Sequence, residues 1–285
     1  MKNLNKIFVL FVLLSISSVD NSYAQAEVSN GYNPLSLRQV HESYLMWKRT
    51  LWRRIDMKEK QNKPFFALNR ELSRVIIDAV ERGVLIPYTS DTVDTIMPID
   101  DFRSSLVIKE DIIPCNTDIN GCNNSGCPGE PFFEPCEELK SQKIDIRHFS
   151  IFQIKEDLYF DRIHSRIYFD IQSVSMYWDN MAPSNLRGGD VLIGSFRFID
   201  LYNLFKSMPK EAIWFNEKNI AQHKNLGDAF LLRLFRGYII KMANADGETL
   251  LDIYENDSAG KGKGIMAAVQ AEQDLMEWES NLWEY

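Results

Sequence analysis

Leu37 to Phe66 reads LRQVHESYLMWKRTLWRRIDMKEKQNKPFF, and the fold turns on how that stretch is taken. Leu37, Val40, Tyr44, Trp47, Leu51 and Ile55 recur at steps of three and four, which on a helix gathers them into one stripe facing a core. This predicts an amphipathic opening helix that ends near Lys63, because Pro64 forces its predecessor out of the helical region. Trp52 lies off the stripe, beside His41 and Leu45, with Arg49 and Arg53 further round the helix. A large aromatic beside arginines predicts a docking surface built from Leu45, Arg49, Trp52 and Arg53. The plainer alternative is that Trp52 packs beneath a neighbouring loop, since aromatics dominate cores as well as interfaces.

The stretch is basic, yet the chain is not. Its 285 residues carry 32 basic and 40 acidic side chains. Lys2 and Lys6 precede the apolar run Ile7 to Ile16, and Ser22-Tyr23-Ala24 offers small residues for cleavage, so residues 1–24 are expected to be a secretory signal peptide. Removing them takes away two lysines and Asp20 and leaves a net charge of −9. No cysteine follows the cut to carry a lipid, and no later run is apolar enough to span a bilayer, which predicts a soluble exported protein. The acidic balance argues against sequence-independent nucleic-acid binding. Hydrophobic residues make up 45% of the chain, ample for a core and too many for general disorder.

The polar residues 25–36 are expected to form a flexible leader, followed by a single α+β domain over 37–285. Asn69 is placed as the cap of a helix over Arg70 to Arg82, closed by Gly83. Val84 to Tyr88 reads as a strand and Ile99 to Leu106 as a short helix. Arg147 to Trp178 is the clearest strand region. Its alternation breaks at Asp161 to Ser165 and slips once near Ser173, which predicts an antiparallel pair with a bulge. Val191 to Leu201 is a further strand, and Asp228 is expected to cap a helix over Ala229 to Met242. Beyond the Gly-rich linker Asn256 to Lys263, the final helix (264–283) carries two apolar stripes. One holds Ile265, Val269, Met276 and Trp283. The other holds Ala271, Leu275, Trp278 and Leu282 at coiled-coil spacing, which makes Leu275, Trp278 and Leu282 candidates for contact with a neighbour. The fold class expected from all this is α+β, an antiparallel sheet packed by flanking helices.

All four cysteines, Cys115, Cys122, Cys127 and Cys136, fall in one Gly-, Asn- and Pro-rich loop of 22 residues. In an exported protein this reads as a loop stapled by two disulfides. Structural zinc is disfavoured by the lack of a C-x-x-C pair, and free thiols are a further alternative. Three connectivities are open; hairpin geometry favours the nested one.

No catalytic motif emerges. His41, His148, His164 and His223 are dispersed. His41-Glu42 begins like a zincin motif, but Leu45 stands where the second His belongs. Gly194-Ser195 lacks the flanking glycines of a nucleophile elbow. The run Gly260 to Gly264 has neither the spacing nor the hydroxyl of a P-loop. No cofactor or metal is expected.

Trp47-Lys48-Arg49, Trp52-Arg53, Ile55-Asp56, Glu59-Lys60, Asn62 and Pro64 resemble the opening block of the PorN/GldN family, periplasmic components of the type IX secretion system that also serve gliding motility. The resemblance continues through Leu72 to Gly83, Ile154-Lys155-Glu156-Asp157, Phe160-Asp161, Phe235, Tyr238-Ile239 and Lys241. It closes on Leu282-Trp283-Glu284-Tyr285. It implies a non-enzymatic ring scaffold at the periplasmic face of the outer membrane, bound to a PorK/GldK-type lipoprotein and coupled to the periplasmic part of the PorM/GldM motor component. Ring assembly needs two different surfaces on each subunit. The cysteine loop departs from the family pattern. Two other readings carry tests of their own. A periplasmic hydrolase would need a His and a carboxylate brought together in a cleft. A secreted binding module would use the cysteine loop as its recognition surface.

Overall fold

The stretch expected to open the domain as a helix is a strand. In the computed structural model, which describes residues 31–108, 142–185, 188–255 and 263–282, Leu45–Asp56 forms the 12-residue strand β1. Helix and strand share one spacing: a step of four returns to nearly the same face of a helix and to the same face of a strand. Trp47, Leu51 and Ile55 are spaced by four and satisfy both. The residues that supplied the step of three, Leu37, Val40 and Tyr44, all precede β1; Tyr44 closes a 3-10 turn over Glu42–Tyr44. Arg49 and Arg53 stand between the apolar residues on the inward face and hide the alternation. The tryptophans, Thr50 and Ile55 suit a pleated surface.

β1 enters an antiparallel sheet with β2 (Ile151–Asp161), β3 (Arg166–Trp178), β4 (Val191–Arg197) and β5 (Tyr238–Met242). The five strands run in the order β5-β1-β2-β3-β4. The expected hairpin between β2 and β3 is present. Asp161 accepts hydrogen bonds at its turn from the Ile163 amide at 2.8 Å and the His164 amide at 3.4 Å. The expected bulge is present too: Lys155 pairs with Ser173 and Glu156 with Ile171, so Gln172 is the extra residue.

Among the described residues six helices pack around the sheet: α1 (Leu72–Glu81), α2 (Ile99–Ser105), α3 (Phe198–Ser207), α4 (Leu226–Leu231), α5 (Leu250–Glu255) and α6 (Lys263–Leu282). The class is therefore α+β with an antiparallel sheet. Several local expectations are corrected. Asn69 is not a cap but sits at φ 63°, and Glu71 occupies the cap position of α1. Gly83 does close that helix at φ 72°. From Val84 to Tyr88 only Tyr88 makes β-bridges, to Ile96 and Ser195. The strand from Val191 ends at Arg197, where α3 begins. The helix expected over Ala229 to Met242 is two elements, α4 and β5. Asn225, not Asp228, caps α4 through the Gly227 amide at 2.9 Å. The break falls at Arg233, held at φ 53°, and at Gly237, where a Cβ would meet the Arg54 carbonyl at 2.6 Å.

The expected signal peptide, the first part of the expected leader and the cysteine loop lie outside the described residues. The end of the leader, residues 31–36, is packed: Ser36 is buried and Asn33 Nδ2 donates to Gln172 Oε1 at 2.9 Å.

One face of the sheet carries two apolar clusters. The larger joins Ile55, Phe152, Ile154, Val174, Met176 and Phe196 to α1, α3 and α4. Each such fully buried large side chain contributes about 2 kcal/mol through burial. The smaller places Leu51, Leu158 and Ile239 beneath Leu250 of α5 and Ala268 and Ala271 of α6.

Candidate functional site

Between those clusters, on the same face, the alternation delivers charge. Along β1 the inward order is Leu51, Arg53, Ile55; along β2 it is Leu158, Glu156, Ile154. Glu156 is fully buried. Arg53 Nε donates to Glu156 Oε1 at 3.1 Å, and Arg233 clamps the carboxylate through Nη1 at 2.5 Å and Nη2 at 3.2 Å. Burial alone would raise the Glu156 carboxyl, but Arg233 and then Arg53 outweigh it and hold it below the ordinary carboxylate range. Arg53 Nη1 also donates to Gly237 O and to Glu272 Oε1 of α6, each at 2.8 Å. The Arg233 guanidinium lies over Phe169 at 4.1 Å. Glu156 and Arg53 together thus tie β1, β2, the α4–β5 turn and α6, beside a cleft of about 400 Å³ that Phe235 and Met276 help line. The left-handed Arg233 backbone is what aims its side chain inward, and nothing in the residue type announces it.

The four residues expected to form one docking surface do not share a face. Strand alternation puts Arg49 and Arg53 on the inner side and Trp52 on the other. Leu45 lines a small cavity with Ser36, Tyr159 and Asp170, while Arg49 is exposed. Trp52 follows the plainer alternative. Its Nε1 donates to the Asp91 carboxylate, which belongs to the loop after α1. Lys241 lies over its ring at 4.7 Å and Lys155 at 5.6 Å.

On α6 the two stripes exchange the roles expected of them. Ala271 is buried, Leu275 packs against the smaller cluster, and Trp278 stacks on Trp47 with ring centroids 3.9 Å apart. The seam placed against a neighbour therefore faces the domain's own sheet, because β1 presents Trp47 and Leu51 there. Leu282 ends the helix. The other stripe is open as far as it is described: Ile265 is 66% exposed, Val269 47% and Met276 63%, joined by Met266 at 69%, while Trp283 lies outside the described residues.

A further feature sits past the opposite end of β1. Lys58, Lys63, Arg70 and Arg147 surround a groove of about 1070 Å³ whose apolar lining includes Phe66, Leu68 and Phe215, with Glu217 its single acid among the described residues. Lys58 is neutralised by Asp179, and Arg147 Nε lies 3.5 Å from Glu71 Oε1. The basic run of the opening stretch was the sequence signal for this groove. Of its aromatic lining, Phe66 closes that same stretch, whereas Phe215 comes from a segment about 150 residues away and left no signal.

On the outer face Asp157 and Asp170 are directly paired across β2 and β3. Lys48 Nζ meets Asp157 at 2.9 Å and Thr50 Oγ1 donates to it at 2.7 Å. Asp170 receives Gln172 Nε2 at 2.8 Å. Burial, reinforced by Asp157 opposite, pushes the Asp170 carboxyl up to about 6. Of the histidines, His164 Nδ1 meets Asp161 Oδ2 at 2.5 Å within the exposed β2–β3 turn, where Asp161 serves as the cap of the turn. His148 Nδ1 meets Ser184 Oγ at 2.9 Å. His223 Nδ1 accepts from the Asn216 amide at 3.1 Å. Among the described residues no group of three or more His, Cys, Asp or Glu could hold a metal ion, and no helix is long and apolar enough to cross a membrane.

A family profile described as "Gliding motility associated protein GldN" matches residues 40–284, a range that takes in every strand and helix named above. No curated protein matches the chain.

Proposed function

Since the chain belongs to the GldN family of gliding motility associated proteins, components of the gliding and type IX secretion machinery, we propose that it serves there as a non-enzymatic scaffold subunit. In this reading it forms part of a periplasmic ring at the inner face of the outer membrane. A PorK/GldK-like lipoprotein holds it there, and it contacts the periplasmic part of the PorM/GldM motor component.

One observation carries the reading. α6 is committed to its own sheet on one side, through Ala271, Leu275 and Trp278, and open on the other, through Ile265, Met266, Val269 and Met276. Methionines and β-branched residues exposed in a row on a 20-residue helix are what a subunit offers to a neighbour. The expected signal peptide supports the address.

The test is co-purification from outer-membrane fractions. The chain is expected to travel with a lipoprotein in a high-mass complex, and Ile265→Asp with Met276→Asp is expected to release it while the thermal midpoint of the isolated protein holds. A wild-type chain that runs as a free monomer in periplasmic extract and retains no lipoprotein would overturn the reading.

A further inference from the structure

The groove beyond β1 joins aromatic lining to cations that the domain leaves unneutralised. Lys63 and Arg70 are both exposed, and neither side chain has an ion-pair or hydrogen-bond partner among the described residues. In a chain of net charge −8, such a site selects a segment bearing both carboxylates and aromatic rings: the carboxylates answer the free cations, and the rings fill the space along Phe66 and Phe215 and can stack beneath a guanidinium. The chain contains such a segment after Trp278. Residues 279–285 read ESNLWEY, with Glu279 and Glu284 for the cations and Leu282, Trp283 and Tyr285 for the apolar lining.

That segment cannot reach the groove of its own subunit. Glu272 meets Arg53 and Trp278 meets Trp47, so α6 runs along β1 away from Met57, which borders the groove. From Trp47 to Met57 the extended chain covers ~33 Å. The seven residues 279–285, even fully extended, span at most ~25 Å, and as far as Leu282 they continue the helix in the wrong direction.

We propose that the groove receives residues 279–285 of a second copy of this chain, joining copies head to tail. The contact uses two different surfaces at opposite ends of one strand, so it is heterologous and propagates into a ring or an open filament according to the rotation per step. It rests on the scaffold reading above and names one of the surfaces through which that scaffold would assemble.

The experiment titrates a fluorescent peptide of residues 277–285 into the full mature chain and follows anisotropy. Binding is expected, weakened by added salt. It should fall about tenfold or more in Lys63→Glu with Arg70→Glu, as the loss of roughly 1.4 kcal/mol of charge contact requires. A peptide carrying Glu279→Lys and Glu284→Lys should bind that double variant better than it binds the wild type. In parallel, a chain lacking residues 283–285 should sediment as a smaller species. Both positions in the groove variant are exposed, and an unchanged thermal midpoint verifies its fold. No peptide binding, or binding indifferent to the groove variant, overturns the inference. So does a groove variant that loses the lipoprotein while self-association persists, since the occupant would then be a segment of another protein. If peptide binding fails but co-purification with the lipoprotein holds, the head-to-tail contact falls and the scaffold reading stands.

Discussion

Arg53 and Glu156 meet at 3.1 Å on the inner face of the sheet, between its two apolar clusters, 11% and 0% exposed at their side chains. Each occupies an inward position where alternation calls for a hydrophobic residue, and each is flanked by one. The pair forms a polar seam between the two clusters, and Arg233 and Glu272 complete it from outside the two strands.

A seam of this kind is weak evidence of stability but costly to break. Glu156→Gln keeps the shape and removes the charge, leaving Arg233 without its carboxylate. A loss of about 3 kcal/mol is expected in urea unfolding. Replacing Arg53, Glu156 and Arg233 together by Met, Leu and Met should recover most of it, because no buried charge then lacks a partner. The pH dependence has a definite sign. The folded Glu156 carboxyl lies below its ordinary value, so its contribution is fully present above the unfolded value of about 4.3 and is lost as pH falls through the folded one. Acid unfolding of Glu156→Gln should lack that component.

Asp170 gives the opposite sign. Its folded carboxyl is pushed up to about 6, above an unfolded value of about 3.9. Between these values the folded state holds more protons than the unfolded one, so this group makes stability fall as pH rises from about 4 to 6 and stay reduced above. Asp170→Asn should therefore unfold at higher urea than the wild type at pH 8, by up to about 2 to 3 kcal/mol, and the gain should vanish at pH 4. An equal loss at both pH values would show that the side chain acts through its hydrogen bond to Gln172 alone.

What the sequence revealed follows from which signals were unambiguous. β2 and β3 alternate over 11 and 13 residues, with a turn capped by an aspartate, and both the hairpin and its bulge were legible. β1 was not, because its apolar residues stand four apart and the intervening arginines look like a solvated face. The partner that makes Arg53 an interior residue is Glu156, some 100 residues away. β5 was lost for a different reason: Tyr238 to Met242 is a short apolar run whose period cannot separate strand from helix. Reading β1 as a helix had a direct consequence at the candidate surface. It grouped Trp52 with Arg53, neighbours that a strand sends to opposite faces. The two stripes of α6 are legible in its spacing, but which one meets the sheet depends on Trp47 facing it.

Trp278 is the outermost anchor of α6, stacked on Trp47. Stacking of this kind contributes about 1 kcal/mol beyond the area it buries. Trp278→Ala should therefore loosen the end of the helix before the sheet yields. Limited proteolysis should cut within α6 much faster than in the wild type, and the product lacking the helix end should keep the far-UV signature of the sheet. Trp47→Ala should give the same cleavage pattern. A global drop in the unfolding midpoint with no preferential cleavage would show that α6 and the sheet unfold as one unit.

Trp52 joins the opposite face to the loop of residues 89–97. Its Nε1 donates to the Asp91 carboxylate, and Ser173 Oγ donates to the Asp91 carbonyl at 2.7 Å. The same loop buries Val93 at φ 55°, an unfavourable backbone for a β-branched residue, so it needs anchors to persist. Trp52→Phe keeps an aromatic ring near Lys241 and Lys155 but removes the donor, at an expected cost of about 1.5 kcal/mol for a bond to a charged acceptor. Hydrogen exchange should quicken at the Thr89 amide, which pairs with Thr95 O at 3.0 Å, while amides shared by β1 and β2 stay protected. Trp52→Ala should quicken both, since the ring's packing is lost as well. Should Trp52→Phe leave exchange in the loop unchanged and lower the share of the protein that travels with the outer membrane, the indole is a contact for a neighbour and not the anchor of this loop.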